Sequence, residues 1–213
     1  MPRPLLIRSE IHPYHVISRS NNRDFFPIPM EEVWEIMMAQ LKLEIKEHSL
    51  GVHAFVLMGN HFHLLCHTPK ANLDVIMQRF LRTTSVKINQ RTKTINHLWG
   101  GRYKWSLIDN QSHYFQVYRY IFQNPVRARI CERVEDYPYS TLRPCSLPIH
   151  SFVPMSFGGS EGELLWLNEP YDKDDIEAIR CALRKSQFDI GKRRLKTYKR
   201  LNPPPRPSSS KEG

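Results

Sequence analysis

Apolar runs over residues 13–19, 52–58 and 61–68 read as strands, bounded by loop residues such as Asn21-Asn22. Between the first two, Val33, Ile36, Met37, Leu41, Leu43 and Ile45 recur mostly at helical spacing and predict a helix over 30–48. Only Gly59-Asn60 separates Met58 from His61, which predicts a two-residue hairpin turn. A helix over 72–91, a strand over 98–108 and a helix over 111–124 follow. The last helix carries Tyr114, Val117 and Ile121 as an apolar stripe, can be capped by Asp109, Asn110 or Ser112, and is expected to end at Asn124, before Pro125. A short helix or turn reaches about 134. The order β-α-β-β-α-β predicts an α+β fold: a ferredoxin-like antiparallel sheet with helices on one face. Strand 61–68 would be central in that sheet, with helix 111–124 packed beside it.

The chain divides by composition. Residues 1–145 hold these elements, and 146–190 form a linker (147–159) and a helical extension. The extension's helix, 172–185, is capped near Asp172 and aligns Ile176, Ile179 and Leu183. Residues 191–213 form a basic tail, Lys192-Arg193-Arg194-Leu195-Lys196-Thr197-Tyr198-Lys199-Arg200, whose Pro- and Ser-rich end reads as disordered. There is no internal repeat.

Candidate chemistry starts with His61-Phe62-His63. Alternation along a strand points both histidines to one face, roughly 7 Å apart at Cα, and Phe62 and Leu64 to the other. Two such imidazoles can share a divalent ion, or they can be polar residues on the solvated face of an edge strand. Tyr120 and Asn124, four apart, share one face of helix 111–124, whereas Tyr118 lies on another and reads as a core residue. Alternation also puts Cys66 opposite the histidines, which argues against zinc bound by His61, His63 and Cys66.

Charge adds a partner. With 31 Lys and Arg against 21 Asp and Glu, the formal charge is +10 and the pI about 9.6, which attracts phosphate backbones. Basic and aromatic residues interleave at Arg102-Tyr103-Lys104-Trp105 and Tyr118-Arg119, offering charge for phosphates and rings for unstacked bases. Cys66, Cys131, Cys145 and Cys181 have no Cys-x-x-Cys spacing and are too sparse for a disulfide framework, which fits a reducing cytoplasm. The N-terminus has only three consecutive large apolar residues, too few for a signal peptide, and no membrane-spanning run follows.

His61-Phe62-His63, the basic aromatic segment Trp99-Gly100-Gly101-Arg102-Tyr103-Lys104-Trp105, and Arg119-Tyr120-Ile121…Asn124-Pro125-Val126-Arg127-Ala128 occur in that order. Together they resemble the single-tyrosine HUH transposases, and within them the REP-associated tyrosine transposases. Pro13 to Arg23 fits the family's first strand and loop, and Asp136-Tyr137-Pro138-Tyr139-Ser140-Thr141 its closing segment, so the resemblance covers residues 9–145. It departs at Gly59, where relatives commonly carry Pro.

The resemblance implies that His61 and His63 hold Mg²⁺ or Mn²⁺, that Asn124 supplies a third, oxygen ligand, and that Tyr120 is the nucleophile. Arg19, Asn22 and Arg23, then Arg102, Tyr103, Lys104 and Trp105, then Arg119 and Arg127 would contact DNA. The implied reaction is metal-dependent nicking and joining of hairpin-bearing single-stranded DNA through a 5′-phosphotyrosine. The implied setting is a cytoplasmic, nucleoid-associated protein, with a monomer favoured over a dimer. A cleavage-deficient hairpin-binding protein is the alternative, though all four site residues are present. A histidine-triad phosphoesterase would need a third alternating histidine where Leu65 stands, and there is no Gly-rich Walker loop.

Overall fold

A computed structural model describes residues 5–95, 97–150 and 161–191 of the 213-residue chain. The basic tail from 192 onwards and most of the expected linker (151–160) lie outside the described residues. The elements are β1 (Tyr14–Arg19), α1 (Met30–His48), β2 (Gly51–Met58), β3 (His61–His67), α2 (Leu73–Thr92), β4 (Lys104–Leu107), α3 (Gln111–Phe122), the single turn α4 (Asn124–Arg127), α5 (Glu161–Asn168) and α6 (Lys173–Ala182). The sheet order is β2-β3-β1-β4, antiparallel throughout, so β3 is an inner strand as expected.

Alternation sorts the sheet into two cores. Tyr14 and Val16, Phe62 and Leu64, and Trp105 and Leu107 face α1 and α2, where Phe62 packs 5.4 Å from Phe80 and 5.6 Å from Phe55 between ring centroids. These two crossover helices lie on one face, as the ferredoxin-like pattern requires. The other face carries Ala54, Val56 and Leu65 against Tyr114, Val117, Tyr118 and Ile121 of α3. Trp166 and Leu167 of α5, and Ile179 and Ala182 of α6, close that second core, so the extension packs directly on α3. Burying each such large side chain contributes about 1.5–3 kcal/mol.

Both outer strands are covered. The Phe188 amide donates to the Leu107 carbonyl at 2.9 Å beside β4, and Thr141 and His150 donate to Phe55 and Val52 at 2.9 and 2.7 Å beside β2.

Three boundaries differ from the sequence pattern, one of them α6, which ends at Ala182 rather than at 185. The strand expected over 98–108 begins only at Lys104, because Gly101 has φ +140 and the backbone of 98–100 turns to meet the loop after β1. Helix α3 ends at Phe122, but Pro125 does not stop the chain. It occupies the first turn of α4, where proline has no helical hydrogen bond to lose.

Three segments converge beyond the ends of β1 and β3. The Asn60 carbonyl of the hairpin turn accepts from the Ser20 amide at 2.8 Å, and its side chain donates to the Arg23 carbonyl at 2.7 Å. The Gly100 amide donates to the Arg19 carbonyl at 2.9 Å. A Cβ on Gly100 would sit 3.0 Å from the Ser20 carbonyl oxygen, so this approach needs glycine.

Candidate active site

Below those segments opens a cavity of about 650 Å³, bounded by β1, β3, the 100–104 segment, α3 and α6. His15 and His63 line it from the sheet and Tyr120 from α3. The ring of His63 meets that of Tyr120 edge-on at 5.9 Å, and the ring of His61 stands 5.2 Å from that of His63.

The imidazoles are held from behind. His61 Nδ1 lies 2.7 Å from Asn60 Oδ1, an acceptor only, so that nitrogen carries the proton. His63 Nδ1 lies 2.9 Å from His15 Nε2. In the tautomer where His63 Nδ1–H donates to His15, Nε2 of both candidate ligands is bare. Burial, followed by Arg19, brings His61 down to about 4; burial alone brings His15 down to about 3. Burial, with His15 and His61 next in weight, holds His63 well below its ordinary value. Neutral imidazoles are what a metal requires. Among the described residues no three His, Cys, Asp or Glu side chains are grouped so as to hold a metal ion, so an ion at this pair would need oxygen ligands from elsewhere. Cys66 lies in the opposite core, and burial pushes its thiol pKa up, which removes the zinc alternative.

Asn124 ties α3 to α4. Its amide nitrogen donates to the carbonyls of Tyr120 and Ile121 at 3.0 and 3.2 Å, and its oxygen accepts from Arg127 at 2.6 Å. Arg127 is thereby held with its guanidinium carbon 4.1 Å from the Tyr120 ring centroid. In this arrangement one lone pair of Asn124 Oδ1 is engaged by Arg127. Tyr118 is buried, stacked on Tyr114 at 6.0 Å.

Five of the expected DNA contacts line the cavity: Arg19, Asn22, Arg23, Arg102 and Lys104. Four others do not: Arg127, held on the Tyr120 ring, and three that are buried elsewhere, for which the expectation is corrected. Tyr103 and Trp105 are buried in the core with α1 and α2, Trp105 edge-on to Tyr14 at 6.3 Å. Arg119 is 1 % exposed, with its guanidinium 4.4 Å from the Tyr171 ring and donating to the Glu169 carbonyl. In their place the structure brings in His15, Arg180 of α6 and Arg184 just after that helix, which no sequence motif marks. No described helix is long and apolar enough to cross a membrane.

Residues 9–124 match the family model of IS200-like transposases. Among solved structures, a REP-associated tyrosine transposase bound to a REP hairpin superposes with a TM-score of 0.57 at 15 % identity, over 75 % of this chain and 98 % of that one. A putative transposase from Deinococcus radiodurans R1 gives a TM-score of 0.39 at 17 % identity, over 57 % of this chain and 94 % of that one. No curated protein matches.

Proposed function

Because the chain belongs to the IS200-like transposase family, we propose that it nicks and rejoins single-stranded DNA beside hairpins through Tyr120, with a divalent ion at His61 and His63. The observation that carries this reading is one basic cavity with Tyr120 on one wall and His63, backed by His15, on the other. The similar fold of a transposase bound to a REP hairpin supports hairpin DNA as the partner.

The residues divide the work. Arg19, Arg23, Arg102 and Lys104 draw the backbone of a single strand into the cavity that Tyr120 lines. Tyr120 Oη attacks the phosphorus and its proton passes to solvent in the open cavity. The bond from phosphorus to the 3′-oxygen breaks and that oxygen is protonated, leaving a 5′-phosphate on Tyr120 and a free 3′-hydroxyl. Attack of a 3′-hydroxyl on that linkage reverses the step and rejoins DNA without ATP. Arg127, held by Asn124 over the phenol ring, favours the developing phenolate when the linkage is broken. Bound at His61 and His63, Mg²⁺ or Mn²⁺ supplies Lewis-acid polarisation of the phosphate. Asn124 Oδ1, which accepts one hydrogen bond from Arg127 and keeps a second lone pair, would be the oxygen ligand from α4.

The test is incubation of the protein with labelled hairpin oligonucleotides, with Mn²⁺ or with EDTA, read on a denaturing gel. A metal-dependent covalent band that Tyr120→Phe abolishes is expected. Native binding without any band would support the cleavage-deficient alternative, and a band that persists in Tyr120→Phe would remove Tyr120 from its role.

A further inference from the structure

Helix α6 lies beyond residues 9–124 that define the family, yet it forms one wall of the cavity. Ile179 and Ala182 are buried against α3, and this seating turns Arg180, Leu183 and Arg184 to the same space as Tyr120. Both arginines are exposed. Arg184 follows α6 in a turn where its amide donates to the Cys181 carbonyl at 3.2 Å, so both arginines stand at the C-terminal end of the helix. Leu183 lies between them as the apolar surface of that wall.

The two arginines share the cavity with other cations. Arg19, Arg23, Arg102 and Lys104 line it too, and no carboxylate is among the described lining residues. No ion pair among the described residues engages Arg180 or Arg184. Like charges gathered around one cavity repel each other until an anion enters. The chain's own tail is not that anion, because residues 192–200 carry six Lys and Arg and no acid.

We propose that Arg180 and Arg184 form a phosphate-binding site at the C-terminal end of α6 that grips the single-stranded backbone next to the phosphodiester presented to Tyr120. The proposal rests on the nicking reading and adds to it a wall from outside the family-defining part of the chain. Basic residues contributed from β1 and from the end of α6 to one cavity would hold one strand there, which fixes its path past the phenol as well as its attraction to the protein.

The full-length double variant Arg180→Gln, Arg184→Gln tests this against wild type with two DNAs, a hairpin carrying a single-stranded flank and the same hairpin without it. Affinity is measured by fluorescence anisotropy through a salt titration, alongside the thermal midpoint. For the flanked hairpin, the slope of log affinity against log salt is expected to become shallower by about 1.4, or about 0.7 for each single-strand phosphate left without its arginine. Affinity for the flankless hairpin and the thermal midpoint should hold, and Arg180→Lys, Arg184→Lys should restore the wild-type slope. A double variant with the wild-type slope on the flanked hairpin overturns the site, as does an equal loss on both DNAs. Wild-type protein that binds neither DNA and forms no adduct overturns the nicking reading itself, and the α6 site with it.

Discussion

Replacing Arg119 by Met separates a core arginine from a DNA-binding one. In the fold Arg119 joins α3 to the α5–α6 extension: its guanidinium lies 4.4 Å from the Tyr171 ring and 5.8 Å from that of Trp166, and it donates to the Glu169 carbonyl. A desolvated cation–π contact contributes about 2 kcal/mol and a charged hydrogen bond a further ~2 kcal/mol. The Glu169 carboxylate, 3.5 Å away, adds little because its side chain is 48 % exposed. Methionine fills most of the volume and relieves the burial of the charge, an offset of about 2 kcal/mol that includes the buried Arg119 Nε, which has no partner. The net loss is about 2 kcal/mol, a fall in thermal midpoint of roughly 4–8 °C for a chain of this size. The assay is thermal unfolding by circular dichroism, with DNA affinity and its salt slope measured well below the transition. An unchanged midpoint together with a salt slope shallower by about 0.7 would place the guanidinium on DNA and refute the core assignment.

Acid should weaken the fold before it protonates most carboxylates. His15 and His53 are held neutral by burial down to about 3, and His61 down to about 4, whereas each titrates near 6.5 when unfolded. Below about pH 6.5 the unfolded chain therefore binds more protons, and stability falls with pH by up to about 1.4 kcal/mol per unit per group until the folded values are reached. Between about pH 7 and 5.5 the thermal midpoint should drop by on the order of 10 °C, and a flat profile would count against neutral buried histidines. His15→Ala should loosen His63 and weaken Mn²⁺ binding roughly 10–100-fold by calorimetry, with His15→Gln recovering part of it; equal affinities would show that His63 needs no support. Gly100→Ala should cost about 1–3 kcal/mol in denaturant unfolding, because the new Cβ would meet the Ser20 carbonyl oxygen at 3.0 Å, and no change would mean the rim yields freely.

The sheet and its two crossover helices were legible because their signals are local. Helix α1 occupies Met30–His48, as its apolar spacing predicts, and the Gly59-Asn60 turn sets the β2–β3 register. Helix α5 left no such signal. Its buried Trp166 and Leu167 stand in a short apolar run, and what makes them helical is the α3 surface they cover. The extension's packing on α3 was out of reach for the same reason, since neither side of that contact is complete without the other.

Within the site, the misreading at Arg102-Tyr103-Lys104-Trp105 has a plain physical cause. Basic and aromatic residues interleaved with a period of two look like a nucleic-acid surface, yet the same period describes any strand with one buried face. Tyr103 and Trp105 take the core side, and Arg102 and Lys104 the cavity side. The alternation that correctly paired His61 with His63 would have separated these four residues as well. His15 is a different case, because its pairing with His63 depends on the antiparallel register that sets Ile17 opposite His63 and so brings His15 diagonally beside it. No spacing within either strand encodes that. The electrostatics of the cavity follow from the same geometry: one face of β1 and β3 gathers histidines and Arg19, α3 brings Tyr120, and α6 with the turn after it returns with Arg180 and Arg184. Positive charge surrounds neutral imidazoles, so on the proposed reading a phosphate would be drawn in while the nitrogens that would hold the ion stay unprotonated.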